Sequence, residues 1–178
     1  MQHDIASVFF TEEQIDLKVR ELGARLTADY AGKFPLFVGI LKGSFVFMSD
    51  LMRRVDIPCE VDFMAVSSYG KSTTTTGAVS ISKDLSYDIE GRHVIVVEDI
   101  LDSGVTLSYL RSYFDVRRPA SVAICTLLDK PARRKADIYA DYVGFECPDE
   151  FIVGYGLDFA EKYRNLPYIG VLKPEIYA

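Results

Sequence analysis

Three short, nearly unbroken apolar runs constrain the fold more than any other feature: Leu36-Phe37-Val38-Gly39-Ile40-Leu41, His93 to Val97, and Ser121 to Leu128. Each has the length of a strand but lacks polar alternation, so both of its faces must be covered. Such strands belong in the middle of a parallel sheet with helices packed on each side. The intervening sequence supplies those helices. Thr11-Glu12-Glu13-Gln14 forms a capping box, and Ile15, Val19, Leu22 and Leu26 follow at helical spacing toward Gly32. Lys42-Gly43 breaks the first run, Ser44 is placed to cap a helix reaching about Arg54, and another helix is predicted from Gly104 to Phe114. Further strands are expected at Cys59 to Val66, Val79 to Ser82, Tyr142 to Glu146 and Tyr168 to Leu172. The alternation defines an α/β fold, a mainly parallel central sheet flanked by helices. Ligands in such sheets bind beyond the carboxyl ends of the strands, here the residues after Leu41, Val97 and Leu128.

With 178 residues, no internal repeat and no linker-like break in composition, the chain is expected to form a single domain over residues 1–178. A chain of this length buries roughly two-thirds of its unfolded surface. The net charge of −6 argues against general binding to nucleic acid or to anionic membranes. It also means that a polyanionic ligand would need local cations. No apolar run approaches the roughly 20 residues of a membrane span. Met1-Gln2-His3-Asp4 carries no basic leader, so no signal peptide is expected. The three cysteines, Cys59, Cys125 and Cys147, are far apart and each lies in or beside an apolar run. They read as reduced core thiols of a cytoplasmic protein, without CxxC metal spacing.

Ser67 to Ala78 differs from everything around it. Ser67-Ser68-Tyr69-Gly70-Lys71-Ser72 leads into four threonines, Thr73 to Thr76, with no apolar face. It is expected to be a mobile loop, either a plain surface excursion or an active-site lid.

The strongest chemical signal is Val96-Val97-Glu98-Asp99-Ile100-Leu101-Asp102-Ser103-Gly104-Val105-Thr106-Leu107. Two adjacent carboxylates end a buried strand, and a Ser-Gly-x-Thr turn then opens a helix. Backbone N–H groups at a helix start, with the hydroxyls of Ser103 and Thr106, can hold a phosphate monoester. No GxxxxGK motif is present, which disfavours nucleoside triphosphate hydrolysis. Adjacent carboxylates suit the two hydroxyls of a sugar diol. Alone, such a pair reads as strand-end charge and Asp102 as a helix cap. The register of apolar strand, acidic pair, third acid and turn favours a ribose 5-phosphate site.

This segment closely resembles the phosphoribosyl pyrophosphate motif of type I phosphoribosyltransferases. Leu41-Lys42-Gly43, Ser67-Ser68-Tyr69-Gly70, Leu128-Asp129-Lys130, and Pro148 to Asp158 followed by Tyr163-Arg164-Asn165-Leu166 narrow the resemblance to bacterial-type hypoxanthine-guanine phosphoribosyltransferases. It covers essentially the whole chain. The resemblance implies a type I phosphoribosyltransferase fold with a core of about residues 35–145. A small hood would form from the N-terminal segment and about residues 146–178. The implied reaction moves the 5-phosphoribosyl group of phosphoribosyl pyrophosphate to a 6-oxopurine, hypoxanthine and also guanine, releasing pyrophosphate.

By the same resemblance, Glu98 and Asp99 meet the ribose hydroxyls, directly or through Mg2+ and water. The 5′-phosphate lies on Asp102, Ser103, Gly104, Val105 and Thr106, with Ile100 among the substrate-contacting residues. Asp102 is the catalytic acid or base beside the purine N7. Lys130 donates to the 6-oxo group, Phe151 stacks on the base, and backbone groups near Ile152 and Asp158 read its edge. By pattern alone, Lys130 would be solvated and Phe151 would belong to the core. Asp158 joins Glu98 and Asp99 as a magnesium ligand. Backbone amides of Leu41, Lys42 and Gly43 hold pyrophosphate, through a cis peptide between Leu41 and Lys42, and Arg164 adds a cation. Ser68 and Tyr69 open the substrate-contacting loop. Arg53-Arg54, Arg117-Arg118 and Arg133-Arg134-Lys135 fit no such role and read as solvated surface or subunit contacts. The resemblance further implies a homodimer or homotetramer. A nucleic-acid-binding regulator on the same fold would need a basic face, and would have no use for Lys130 or the Phe151 segment. A transferase for orotate or adenine would not pair Lys130 with Phe151 and Ile152, whereas one preferring xanthine remains compatible.

Overall fold

The computed structural model describes residues 1–68 and 79–178. In chain order the strands are β1 (Ile5–Phe10), β2 (Leu36–Leu41), β3 (Glu60–Ser68), β4 (Val79–Lys83), β5 (His93–Leu101), β6 (Ser121–Asp129), β7 (Tyr142–Glu146), β8 (Ile152–Val153) and β9 (Ile169–Leu172). The helices are α1 (Glu12–Asp29), α2 (Phe45–Met52), α3 (Val105–Asp115) and the short α4 (Pro174–Tyr177). Six strands form the main sheet in the order β4-β3-β2-β5-β6-β7. All of its pairings are parallel except β3 with β4. β1, β9 and β8 form a separate antiparallel sheet that draws on both ends of the chain.

The apolar runs are continuous because alternate side chains face different helices. Phe37, Ile95, Val97, Cys125 and Leu127 pack with α1 and α2, through Ile15, Val19, Leu22, Leu26, Phe47 and Leu51. Leu36, Val38, Ile40, Val94, Val96 and Ile124 pack against Leu107, Leu110 and Phe114 of α3. Truncating a fully buried aromatic such as Phe114 would cost about 3–5 kcal/mol. The capping box of α1 forms as expected: Gln14 N–H donates to Thr11 Oγ1 and the Thr11 amide to Gln14 Oε1.

Several elements depart from the sequence reading. Ser44 does not cap α2; its hydroxyl donates to the Ile40 carbonyl at 2.6 Å, fastening the helix start to the strand before it. β5 does not stop at Val97 but runs to Leu101, because Glu98, Ile100 and Leu101 continue the ladder to Thr126, Leu128 and Asp129 of β6. The acidic pair therefore sits inside a paired strand rather than after one. β1, β8 and α4 were not expected at all. β1 carries no local signal beyond a short apolar patch, and its partner β9 lies about 160 residues away in sequence. The Asp4 carbonyl, accepting from Lys173 N–H, and the Asp4 carboxylate, accepting from Tyr163 Oη, tie that end down. The loop expected over Ser67 to Ala78 begins later than that, because Ser67 and Ser68 end β3 paired with Ser80 and Val79 of β4; the rest of it, with Tyr69, falls on residues 69–78, outside the described residues.

Candidate active site

The carboxyl ends of β2 and β5 and the start of α3 enclose a cavity of about 230 Å3. Leu41, Gly43, Glu98, Ile100, Asp102, Ser103, Gly104 and Thr106 all line it. Gly104 (φ +77°) turns the chain from β5 into α3 in a left-handed conformation. A side chain there would also strike Ile138 and Arg134. Ser103 turns its hydroxyl toward the Val105 amide at 3.4 Å. Its carbonyl accepts from the Lys135 and Ala136 amides, which fixes the outer side of the turn.

Glu98 is buried, and its carboxylate accepts from the Asp99 amide at 3.2 Å. Asp99 Oδ1 accepts from the Ile100 amide at 2.7 Å. Burial, and then the neighbouring Asp99, push the Glu98 carboxyl well above the usual carboxylate range. Burial also raises Asp99, against backbone donors that favour its charge. The pair cannot carry two charges cheaply without a cation. Asp99 presses so closely on Gly43 that any side chain at that position would collide with its carboxylate. The Leu41-Lys42 peptide just before Gly43 is cis, as the resemblance implied.

Asp102 Oδ1 is buried and has no hydrogen-bond partner among the described residues. The backbone around it is held by Arg134, which is only 13% exposed. Its Nε donates to the Asp102 carbonyl at 3.0 Å and its guanidinium also reaches the Leu101 and Ile138 carbonyls and the Asp129 carboxylate. Of the two expectations for Arg134, solvated surface or subunit contact, the first fails. Within Arg133-Arg134-Lys135, composition carries no sign of which cation turns inward. Arg133 pairs with Asp149 at the surface. Arg54 stays exposed, as expected, with a surface pairing to Asp16, whereas Arg117 is half-buried against the Asp84–Tyr113 pair.

Lys130 is not a solvated lysine. Its side chain is 7% exposed, and Nζ donates to the Glu150 carbonyl at 2.8 Å, with Asp149 at 3.3 Å. Its amide donates to the Leu101 carbonyl, which places it next to Asp102 in space. Phe151, which pattern alone assigned to the core, is 37% exposed, with Tyr177 stacked at 4.5 Å and Phe159 edge-on. Ile152 is buried in β8. Beyond β8, Gly156 lies against the Gly43 carbonyl so tightly that a Cβ would clash. That contact brings the segment of Asp158 and Arg164 to the Lys42-Gly43 loop. Arg164 pairs with Asp158 at 2.8 Å and donates to the Gly156 carbonyl. Asp158 also accepts from the Glu161 amide at 2.9 Å, and Glu161 pairs with Lys42 at 3.0 Å. Glu161 was missed from sequence because nothing in its composition distinguishes it from surface charge.

A parallel sheet that ends in an acidic pair and a hydroxyl-bearing helix start is built to hold a sugar phosphate, as the type I phosphoribosyltransferase fold does. Comparison with known proteins agrees. The family model for the phosphoribosyl transferase domain matches residues 9–160. The hypoxanthine-guanine phosphoribosyltransferase of Bacillus subtilis (strain 168) is 59% identical over 177 residues, covering 99% of this chain and 98% of that protein. The protein of the same name from Streptococcus agalactiae serotype V is 58% identical over 178 residues, covering 100% and 99%. A crystal structure of a hypoxanthine phosphoribosyltransferase from Staphylococcus aureus superposes with a TM-score of 0.97 at 56% identity, covering 100% of this chain and 97% of that one. The chain belongs to the hypoxanthine-guanine phosphoribosyltransferase family.

Proposed function

We infer that this protein is a purine salvage enzyme that transfers the 5-phosphoribosyl group of phosphoribosyl pyrophosphate to hypoxanthine, and to guanine, giving IMP or GMP and pyrophosphate. The observation that carries this reading is the shared cavity of Glu98, Asp102, Ser103, Gly104 and Thr106 with Leu41 and Gly43. It sets the Glu98 carboxylate, the Asp102 carboxylate, whose Oδ1 has no hydrogen-bond partner among the described residues, and a phosphate turn around one small volume.

In this reading the Ser103 to Thr106 turn anchors the 5′-phosphate, while Glu98 and Asp99 receive the ribose hydroxyls. Lys42, Arg164 and the amides of the Lys42-Gly43 loop hold the diphosphate. Lys130 leaves the Glu150 carbonyl to donate to the purine 6-oxo group, and the exposed ring of Phe151 stacks on the base. The ribosyl C1′–O bond to diphosphate breaks as the bond from C1′ to the purine nitrogen forms. Asp102 takes the imidazole proton and faces the positive charge that builds on the sugar.

Magnesium fits the residues present. Among the described residues no group of three His, Cys, Asp or Glu side chains converges to hold a metal by itself. Magnesium is commonly held by one or two carboxylates completed by substrate phosphate oxygens, and buried Glu98 and half-buried Asp99 offer hard oxygens that need a cation. Asp158 would serve a second position only after loosening from Arg164. When bound, the ion neutralises the diphosphate and orients it for departure. We place the enzyme in the cytoplasm, in keeping with its free thiols, as a homodimer or homotetramer acting on small molecules. The test is pyrophosphate release with hypoxanthine, guanine, xanthine and adenine in turn, with and without magnesium. Release with adenine alone would sink the assignment of substrate.

A further inference from the structure

Both cations assigned to the diphosphate are already in contact with a carboxylate. Lys42 Nζ lies 3.0 Å from Glu161 Oε2, and Arg164 NH2, which also pairs with Asp158 Oδ1 at 2.8 Å, lies 3.5 Å from Glu161 Oε1. Each oxygen of one carboxylate thus faces one of the two groups, across 119 residues of sequence in the case of Lys42. The turn that presents Glu161 is tightly specified. Ala160, Glu161 and Tyr163 take φ values of +51°, +62° and +77°. Three non-glycine residues in the left-handed region within four positions are costly, and such conformations persist only where surroundings impose them. Here the Glu161 amide donates to Asp158 Oδ2, and Phe159 and Lys162 exchange backbone hydrogen bonds across the turn. Glu161 itself is 65% exposed, so the arrangement owes nothing to burial of its side chain.

We propose that Glu161 is a built-in counter-ion for the diphosphate subsite, occupying Lys42 and Arg164 when no diphosphate is bound and competing with it for both. The proposal rests on the assignment of those two cations to diphosphate. It deepens that assignment by naming a residue that weakens binding of the substrate's diphosphate end and eases release of pyrophosphate. Glu161 touches no reacting atom in this scheme. It acts through the two cations, and its carboxylate turns to solvent when diphosphate enters. Exposed ion pairs are weakened by solvent and by the entropy of fixing long side chains, so the two contacts together amount to a few-fold in apparent affinity.

The test is Glu161→Gln, which keeps the side-chain length and the amide bond to Asp158 but removes the charge. Steady-state kinetics with magnesium present should give a KM for phosphoribosyl pyrophosphate and an inhibition constant for pyrophosphate both lower by about two- to fivefold. The KM for hypoxanthine should stay at the wild-type value, a split that a merely structural role would not produce. Lys42→Ala is run alongside. If it raises the KM for phosphoribosyl pyrophosphate while Glu161→Gln changes neither constant, or raises them, competition by Glu161 is overturned and the cation assignment stands. If Lys42→Ala leaves that KM unchanged, the cation assignment itself fails and the proposal falls with it.

Discussion

Replacing Arg134 by methionine tests whether one buried cation sets the position of Asp102, the proposed general base. The guanidinium donates to the carbonyls of Leu101, Asp102 and Ile138 and pairs with the Asp129 carboxylate. Methionine preserves the packing of the stem against Gly104 but supplies no donor. Hydrogen bonds to charged groups contribute about 1.5–3 kcal/mol each, and an unpaired buried acceptor costs about 1–3 kcal/mol. The cleft lined by Asp102, Ser103, Ala132, Arg133, Arg134 and Lys135 is open enough for water to replace part of this set. We therefore expect a loss of about 2–4 kcal/mol, seen in urea unfolding as a lower midpoint at constant slope. In a chain of this size that corresponds to a thermal midpoint lower by about 4–16 °C. Function should fall further than stability, because displacement of a reacting group by about 1 Å can cost about 10²-fold. Assayed well below its melting point, Arg134→Met should lose at least tenfold in kcat, and Arg134→Lys should recover only part of it, having no planar fork. Unfolding within about 0.5 kcal/mol of wild type, with kcat intact, would return Arg134 to ordinary surface charge.

Asp102→Ala should lower kcat by about 10²-fold or more, with the fold and substrate affinities nearly unchanged; retention of more than about a third of wild-type turnover would remove it from the mechanism. Lys130 has donors and no acceptor, so adenine should be used at least about 10³-fold less well than hypoxanthine, and Lys130→Ala should narrow that gap. Comparable use of both bases by the wild type would show that Lys130 does not read the 6-position. Because burial raises the Glu98 and Asp99 carboxyls, the metal-free folded protein holds more protons than the unfolded chain above the ordinary carboxylate range. Stability is then greatest below the unfolded value and is lost as pH rises through the folded one. Urea midpoints should fall as pH rises above the ordinary carboxylate range, less steeply in Glu98→Gln, and the same pH dependence in both proteins would refute this. Activity should disappear in excess chelator and return with magnesium or manganese; full turnover in metal-free buffer would contradict the metal assignment.

What the sequence determined by itself is whatever local pattern and short-range geometry decide. Unbroken apolar runs at Leu36–Leu41 and Val94–Val97 can only be strands covered on both faces, and the sheet places them beside each other. The capping box at Thr11 fixes the start of α1 within a residue. Glu98 and the Ser103 to Thr106 turn lie within nine residues of one another, so their shared cavity follows from one strand-to-helix connection. Tertiary structure alone decided the features that join distant segments. β1 is a strand only because β9 lends it hydrogen-bond partners, and an edge six residues long announces nothing locally. Arg134 and Lys130 resemble any surface cation until folding closes carbonyls and carboxylates around them. Arg133, next to Arg134, stays at the surface, so identity and neighbours do not foretell burial. Glu161 gains meaning only where Gly156 brings its turn down on the Gly43 carbonyl, since the charge of a side chain is written in sequence but its partner is not.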